Sequence, residues 1–209
     1  MSKVIGYIDG FNLYYGLRQR SWRQYYWIDP FRLIQSLFAP GHELVAVKYF
    51  TARIHGPQDK RDRQTAFLDA IRASSQAEII LGKFYKKPRS CHACGAKWTS
   101  SEEKMTDSAI ASNLVADAFR DQFDTAFLVG GDTDIVPAVK MVRRWFPEKR
   151  LSVWFPPARR NQEVEDNCHD SNSINGSHLG ASLLPDEVEV EENVFVRRPV
   201  TWCVSPTRE

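Results

Sequence analysis

The residues best placed to do chemistry are carboxylates in two short motifs, Asp9-Gly10-Phe11-Asn12 and Gly130-Gly131-Asp132-Thr133-Asp134. Each follows a run that reads as a buried strand, Val4-Ile5-Gly6-Tyr7-Ile8 before the first and Thr125-Ala126-Phe127-Leu128-Val129 before the second. Open α/β sheets bind ligands in the crevice at the carboxyl ends of their strands, so acids placed there converge although they lie far apart in the chain. Clustered carboxylates repel unless a cation joins them. Oxygen-only donors suit Mg²⁺ or Mn²⁺, which are commonly held by a few carboxylates beside a phosphate. The chemistry implied is metal-dependent phosphodiester hydrolysis, which needs an aligned water and positive charge against the developing phosphorane oxygens.

On this reading Asp9, Asp107, Asp132 and Asp134 hold the metal directly or through water. Asn12, one helical turn beyond Asp9, orients a metal-bound water or a phosphate oxygen without adding charge, and Gly10 and Gly131 leave room for backbone approach. Each assignment has a plainer rival: Asp9 as a turn residue, Asn12, Asp132 and Asp134 as helix caps, and Asp107 as an acid favoured by the helix dipole. Asp117, in the same helix as Asp107 but on a different face, reads as solvent-facing or salt-bridged.

Lys104 is a candidate for the scissile phosphate. Arg53, Lys60 and Arg63 flank the second strand and its following helix, where they could hold a nucleic-acid backbone without encoding sequence. Trp22, Tyr25, Tyr26 and Trp27 either stack unpaired bases or pack a loop onto the core. Cys91-His92-Ala93-Cys94-Gly95 has the form of one zinc knuckle. Within the chain only Cys168-His169 or His55 could complete it; otherwise a partner or second subunit would, or the turn is a reduced one without metal.

The elements that must position these groups alternate. After the first strand, Phe11 to Arg20 has helical composition, and Asp29-Pro30 supplies an N-cap and first helical residue for Phe31 to Phe38. Strands are expected at Glu43 to Phe50, Glu78 to Tyr85 and Arg150 to Phe155, with helices over Asp59 to Ser75, Lys104 to Arg120 and the segment containing Val136, Val139 and Val142. Pro137 fits there because it falls in the first turn. Alternation of this kind predicts an α/β fold with a mainly parallel sheet of about five strands covered on both faces. The stretch from Lys86 to Glu103 reads as polar connection. Residues 1–157 are expected to form the catalytic domain, with 158–209 a C-terminal decoration packed on it or flexibly attached.

Taken together, Tyr7-Ile8-Asp9-Gly10-Phe11-Asn12-Leu13-Tyr14, Lys104-Met105-Thr106-Asp107 and Val129-Gly130-Gly131-Asp132-Thr133-Asp134 resemble the NYN domain family of PIN-like ribonucleases, in order and spacing, over roughly residues 3 to 157. Ile135 and Gly130 depart from the family's frequent Phe and Ser. Leu184-Pro185-Asp186 and Arg198-Pro199-Val200-Thr201-Trp202 look like extensions found in some members. The resemblance implies a PIN-like three-layer sandwich and Mg²⁺- or Mn²⁺-dependent endonucleolytic cleavage of single-stranded or structured RNA. A non-cleaving RNA-binding adaptor and a DNA- or flap-directed nuclease are the alternatives, and a phosphatase using Asp9 is disfavoured because position 11 is Phe.

The chain has 209 residues, 43% of them hydrophobic, enough for one substantial core. No apolar run approaches the roughly 20 residues needed to cross a bilayer, and no signal-peptide pattern follows Met1, so a cytoplasmic protein with reduced cysteines is expected, free of membrane contact. Net charge is only +2, but twelve Lys or Arg against six acids lie between Lys48 and Lys104, whereas Asn161 to Val196 holds nine acids and no Lys or Arg. The middle of the chain is the part suited to phosphate. Self-association or a regulatory protein partner is compatible with this pattern.

Overall fold

The computed structural model describes residues 1–38 and 41–203, with the side chains of all of these except 86 and 99–104. Seven strands make the main sheet: β1 (Ser2–Asp9), β2 (His42–Ala52), β3 (Glu78–Ser90), β4 (Lys97–Lys104), β5 (Thr125–Val129), β6 (Arg150–Phe155) and β7 (Asp170–Ser173). Their spatial order is β4-β3-β2-β1-β5-β6-β7. All neighbours pair in parallel except β4, which runs antiparallel to β3. The two strands beyond the expected five lie at the two edges, where neither face needs to be apolar. Lys97–Lys104 and Asp170–Ser173 are accordingly polar and carry no strand-like alternation.

Successive residues of β1 supply opposite faces, as the strand period requires. Val4 and Ile8 enter one hydrophobic layer with Leu13 and Leu17 of α1 (Gly10–Gln19), Leu33 and Ile34 of α2 (Pro30–Gln35), and Phe67 and Ile71 of α3 (Gln58–Ser74). Ile5 and Tyr7 enter the other, with Ile110 and Leu114 of α4 (Thr106–Phe119) and Val139 and Val142 of α5 (Val136–Trp145). The result is a three-layer α/β sandwich with β1 at its centre. Asp29 caps α2 by accepting from the Phe31 and Arg32 amides, and Pro137 falls in the first turn of α5.

Beyond Pro157 come α6 (Gln162–Asn167), β7, α7 (Gly176–Gly180) and an antiparallel hairpin of β8 (Glu187–Glu191) and β9 (Val194–Arg197). This part packs on the body. Leu183 bridges to Ile28, the Trp27 indole donates to the Pro185 carbonyl at 2.7 Å, and the Trp202 ring lies against Trp27 and Phe67. Among the described residues, no helix is long and apolar enough to cross a membrane.

Candidate active site at the carboxyl edge of the sheet

β1 delivers Asp9 at its last residue, and the Asp9 carboxylate caps α1 by accepting the Asn12 amide at 2.9 Å. β5 delivers the Gly130-Gly131 turn, after which Asp132 caps a short 3₁₀ turn by accepting the Asp134 amide at 3.1 Å. α4 brings Asp107 in its first turn, two residues after Met105, whose φ of 83° reverses the chain out of β4. Three elements therefore converge on one point. Asp9, Asp107 and Asp132 line a cavity of about 30 Å³, together with Tyr7, Leu128 and Gly130.

Asp9 is buried, Asp107 half-buried and Asp132 exposed, so the carboxylates grade from the floor of the cavity to its mouth. Burial raises the Asp9 acid to about 7, Asp107 and Asp132 reinforce the rise, and the Asn12 amide opposes it. Such a group takes a proton or a cation. The donor set fits a hard divalent ion: all three side chains are carboxylates, they come from separate rigid elements, and the cavity has room for one small occupant. Among the described residues, no three such donors are already closed around a single centre.

Asn12 and the glycines shape this edge. The Asn12 side-chain oxygen accepts the Gly131 amide at 3.2 Å, joining the two motifs. A Cβ on Gly131 would run into the Arg159 carbonyl, whereas one on Gly130 would meet Asp9 Cβ at 3.4 Å. Asp134 is exposed and is not among the residues lining the cavity; its amide serves Asp132. Asp117 is salt-bridged, and buried: it accepts from the Tyr7 hydroxyl at 2.7 Å and from Lys48 Nζ at 2.6 Å. Burial, then the Asp117 charge, holds the Tyr7 phenol in its neutral form.

A larger groove of about 730 Å³ adjoins the cavity, beginning at Gly10 and Phe11 directly after Asp9. Tyr14, Tyr26, Trp202, Lys60 and Arg63 are among its walls. Tyr25 also lines it, but Trp27 is fully buried core and Trp22 packs against Tyr25, so the aromatic run divides between the groove wall and the core. Arg53 lies outside the groove and bonds Thr65 Oγ1 at 3.1 Å. The side chain of Lys104 falls outside the described residues. Cys91 and Cys94 occupy the turn between β3 and β4, while Cys168-His169 precedes β7 at the opposite edge of the sheet and cannot complete a knuckle with them. His55 lies in the groove, edge-on to Phe84.

Three features escaped the sequence reading. Arg159 follows β6, so it emerges at the same edge as Asp9; its carbonyl abuts Gly131, its guanidinium lies 6.0 Å from the Tyr15 ring, and its buried Nε has no partner. A basic residue just past a parallel strand was the available signal. The Tyr7-Asp117-Lys48 network and the placement of Trp202 had none, since each joins distant segments.

A parallel sheet with carboxylates gathered at its carboxyl edge and helices on both faces defines a PIN-like α/β protein. The chain belongs to the NYN domain family, which matches residues 3–175 and so extends past the expected boundary at 157 through β7. Membership places it in the PIN-like nuclease superfamily, whose enzymes generally use divalent metals. Over 96% of its length it is 27% identical to 6-hydroxy-3-succinoylpyridine 3-monooxygenase of Pseudomonas putida, covering 75% of that protein. It also superposes on the crystal structure of a protein of unknown function from Vibrio parahaemolyticus with a TM-score of 0.57 at 21% identity, covering 88% of this chain and 96% of that one. That second likeness is one of fold.

Proposed function

We propose that this protein is a divalent-metal-dependent endoribonuclease acting in the cytoplasm. One observation carries the reading: Asp9, Asp107 and Asp132, from three separate elements, line one small cavity that opens at the ligand-binding edge of the sheet. When bound there, Mg²⁺ or Mn²⁺ supplies positive charge against the scissile phosphate and activates the attacking water. Asp9, Asp107 and Asp132 hold that ion, with Asp134 reaching it through water at most. Asn12 fixes the Gly131 turn and keeps Asp132 in place. Arg159, which follows β6 at the same edge of the sheet, adds positive charge that would attract a phosphate. Lys60 and Arg63 draw the RNA backbone along the groove, where Tyr14, Tyr26 and Trp202 offer rings to unpaired bases.

The test is cleavage of labelled single-stranded RNA in Mn²⁺, Mg²⁺ or EDTA, by the wild type and by Asp132→Asn. Cutting that requires metal and is lost in the variant supports the reading; cutting in EDTA, or full activity of Asp132→Asn, rejects it. Binding without cleavage under every condition marks an adaptor instead, and preference for flapped or single-stranded DNA marks the other nuclease alternative.

A second reading has its own support. A relative aligned along nearly the whole chain is named a monooxygenase of a substituted pyridine, and the groove beside the carboxylates is aromatic and basic, as a planar anionic heteroaromatic acid would require. Binding of 6-hydroxy-3-succinoylpyridine by calorimetry, with RNA failing to compete, would favour it.

A further inference from the structure

The β3–β4 ribbon carries a feature that the carboxylate cavity does not use. Its strands pair from Lys83 opposite Lys104 to Ser90 opposite Lys97, and Cys91 to Ala96 form the turn at its end. That turn is built in detail. The Cys91 amide donates to the Ala96 carbonyl at 2.8 Å, the Gly95 amide returns to the Cys91 carbonyl at 2.9 Å, and Gly95 holds a φ of 69° that suits glycine. Cys91 and Cys94 are three positions apart on this one tight turn, the spacing from which two thiolates bind a single ion. Cys94 is exposed and Cys91 partly so, both free thiols.

A structural zinc ion takes four ligands, and this turn presents two. Cys168-His169 lies at the opposite edge of the sheet, out of reach, and among the described residues no group of three His, Cys, Asp or Glu surrounds the turn. We propose that Cys91 and Cys94 bind zinc between two copies of this chain, each copy supplying two sulfurs to one tetrahedral ion on a twofold axis. A twofold contact is self-complementary, so an incomplete half-site at an exposed tip is completed by its own copy. Two further observations fit that occupant. Four thiolates around Zn²⁺ carry net negative charge, and residues 83–97 hold five Lys or Arg and no acid. Trp98, opposite Arg89 on the ribbon, is 52% exposed and would be covered by the second copy. This proposal is independent of the nuclease reading, because the carboxylates belong to other elements.

The test uses the full chain, purified with reductant and without chelator. Zinc is measured by atomic emission and molar mass by light scattering, before and after treatment with a strong zinc chelator, for the wild type and Cys91→Ser/Cys94→Ser. About one zinc per two chains is expected in a dimer that falls to monomer on chelation, and a monomeric, zinc-free double variant with an unchanged circular dichroism spectrum. One zinc per chain on a monomer overturns the proposal. So does protein that holds no zinc after dialysis against ZnCl₂, or a dimer indifferent to chelation and substitution.

Discussion

The Asn12 side-chain oxygen accepts the Gly131 amide at 3.2 Å, so a residue in the first turn of α1 fastens the turn that follows β5, 119 positions away. Asn12→Ala leaves that amide without its partner and lets Asp132 move relative to Asp9. We expect a loss of about 1–2 kcal/mol in urea unfolding and a fall of about 10- to 100-fold in metal-dependent turnover. Equal turnover in the two proteins would show that the turn is held by other contacts.

Asp9 gives a pH dependence with a defined sign. Its folded pKa of about 7 lies above the ordinary carboxylate value, so between those limits the metal-free folded state keeps a proton that the unfolded state has released. The contribution is fully present below the carboxylate range and is lost as pH rises toward 7. Denaturation in EDTA from pH 4 to 8 should therefore favour Asp9→Asn over the wild type progressively as pH rises, since the amide still caps α1 and carries no charge. Saturating Mn²⁺ should reverse the order at pH 8.

The two glycines of the β5 turn separate stability from activity. Gly131→Ala drives a methyl into the Arg159 carbonyl, backbone against side chain, and should destabilise by about 1–3 kcal/mol or more. Gly130→Ala sets its methyl 3.4 Å from Asp9 Cβ, an ordinary contact, and should fold within about 1 kcal/mol of wild type while weakening Mn²⁺ binding measured by calorimetry.

Below the cavity, Asp117 accepts from both Tyr7 and Lys48. Asp117→Ala strands the largely buried Lys48 ammonium, at an expected loss of about 3–5 kcal/mol, whereas Tyr7→Phe removes one donor and should lose about 1–2 kcal/mol. Thermal unfolding distinguishes the two. Similar small losses would mean that Lys48 reaches solvent once its partner is gone.

Lys60 and Arg63 line the groove and Arg53 does not. Lys60→Ala and Arg63→Ala should each lower the slope of log affinity for single-stranded RNA against log salt by about 0.7, with Arg53→Ala leaving it unchanged. Equal effects from all three would place the nucleic acid elsewhere.

The central strands and both carboxylate motifs were legible because burial forces apolar runs to end where the acids begin. The stripe of Ile110, Leu114 and Ala118 on α4 was legible for the same reason, and all three are buried. β4 and β7 were not, since an edge strand such as Lys97–Lys104 is held by backbone pairing that leaves polar side chains free to vary. The site was readable in part. Strand ends announced Asp9 and Asp132, but spacing could not show that Asp134 is absent from the cavity lining or that Asp117 lies buried against Tyr7. Those outcomes depend on side-chain direction within a single turn and on partners more than 60 positions distant.

The Trp202 ring closes the groove from the far end of the described chain, resting on Trp27 and Phe67, while Arg198 donates to the Gln24 carbonyl. The carboxylates come from β1, α4 and the turn after β5, none of which the tail touches through these bonds. The carboxylate cavity and the Trp202 wall of the groove thus come from separate stretches of polypeptide. Exchange of residues 198–203 between relatives would reshape one wall of the groove and leave the Asp9 cavity intact.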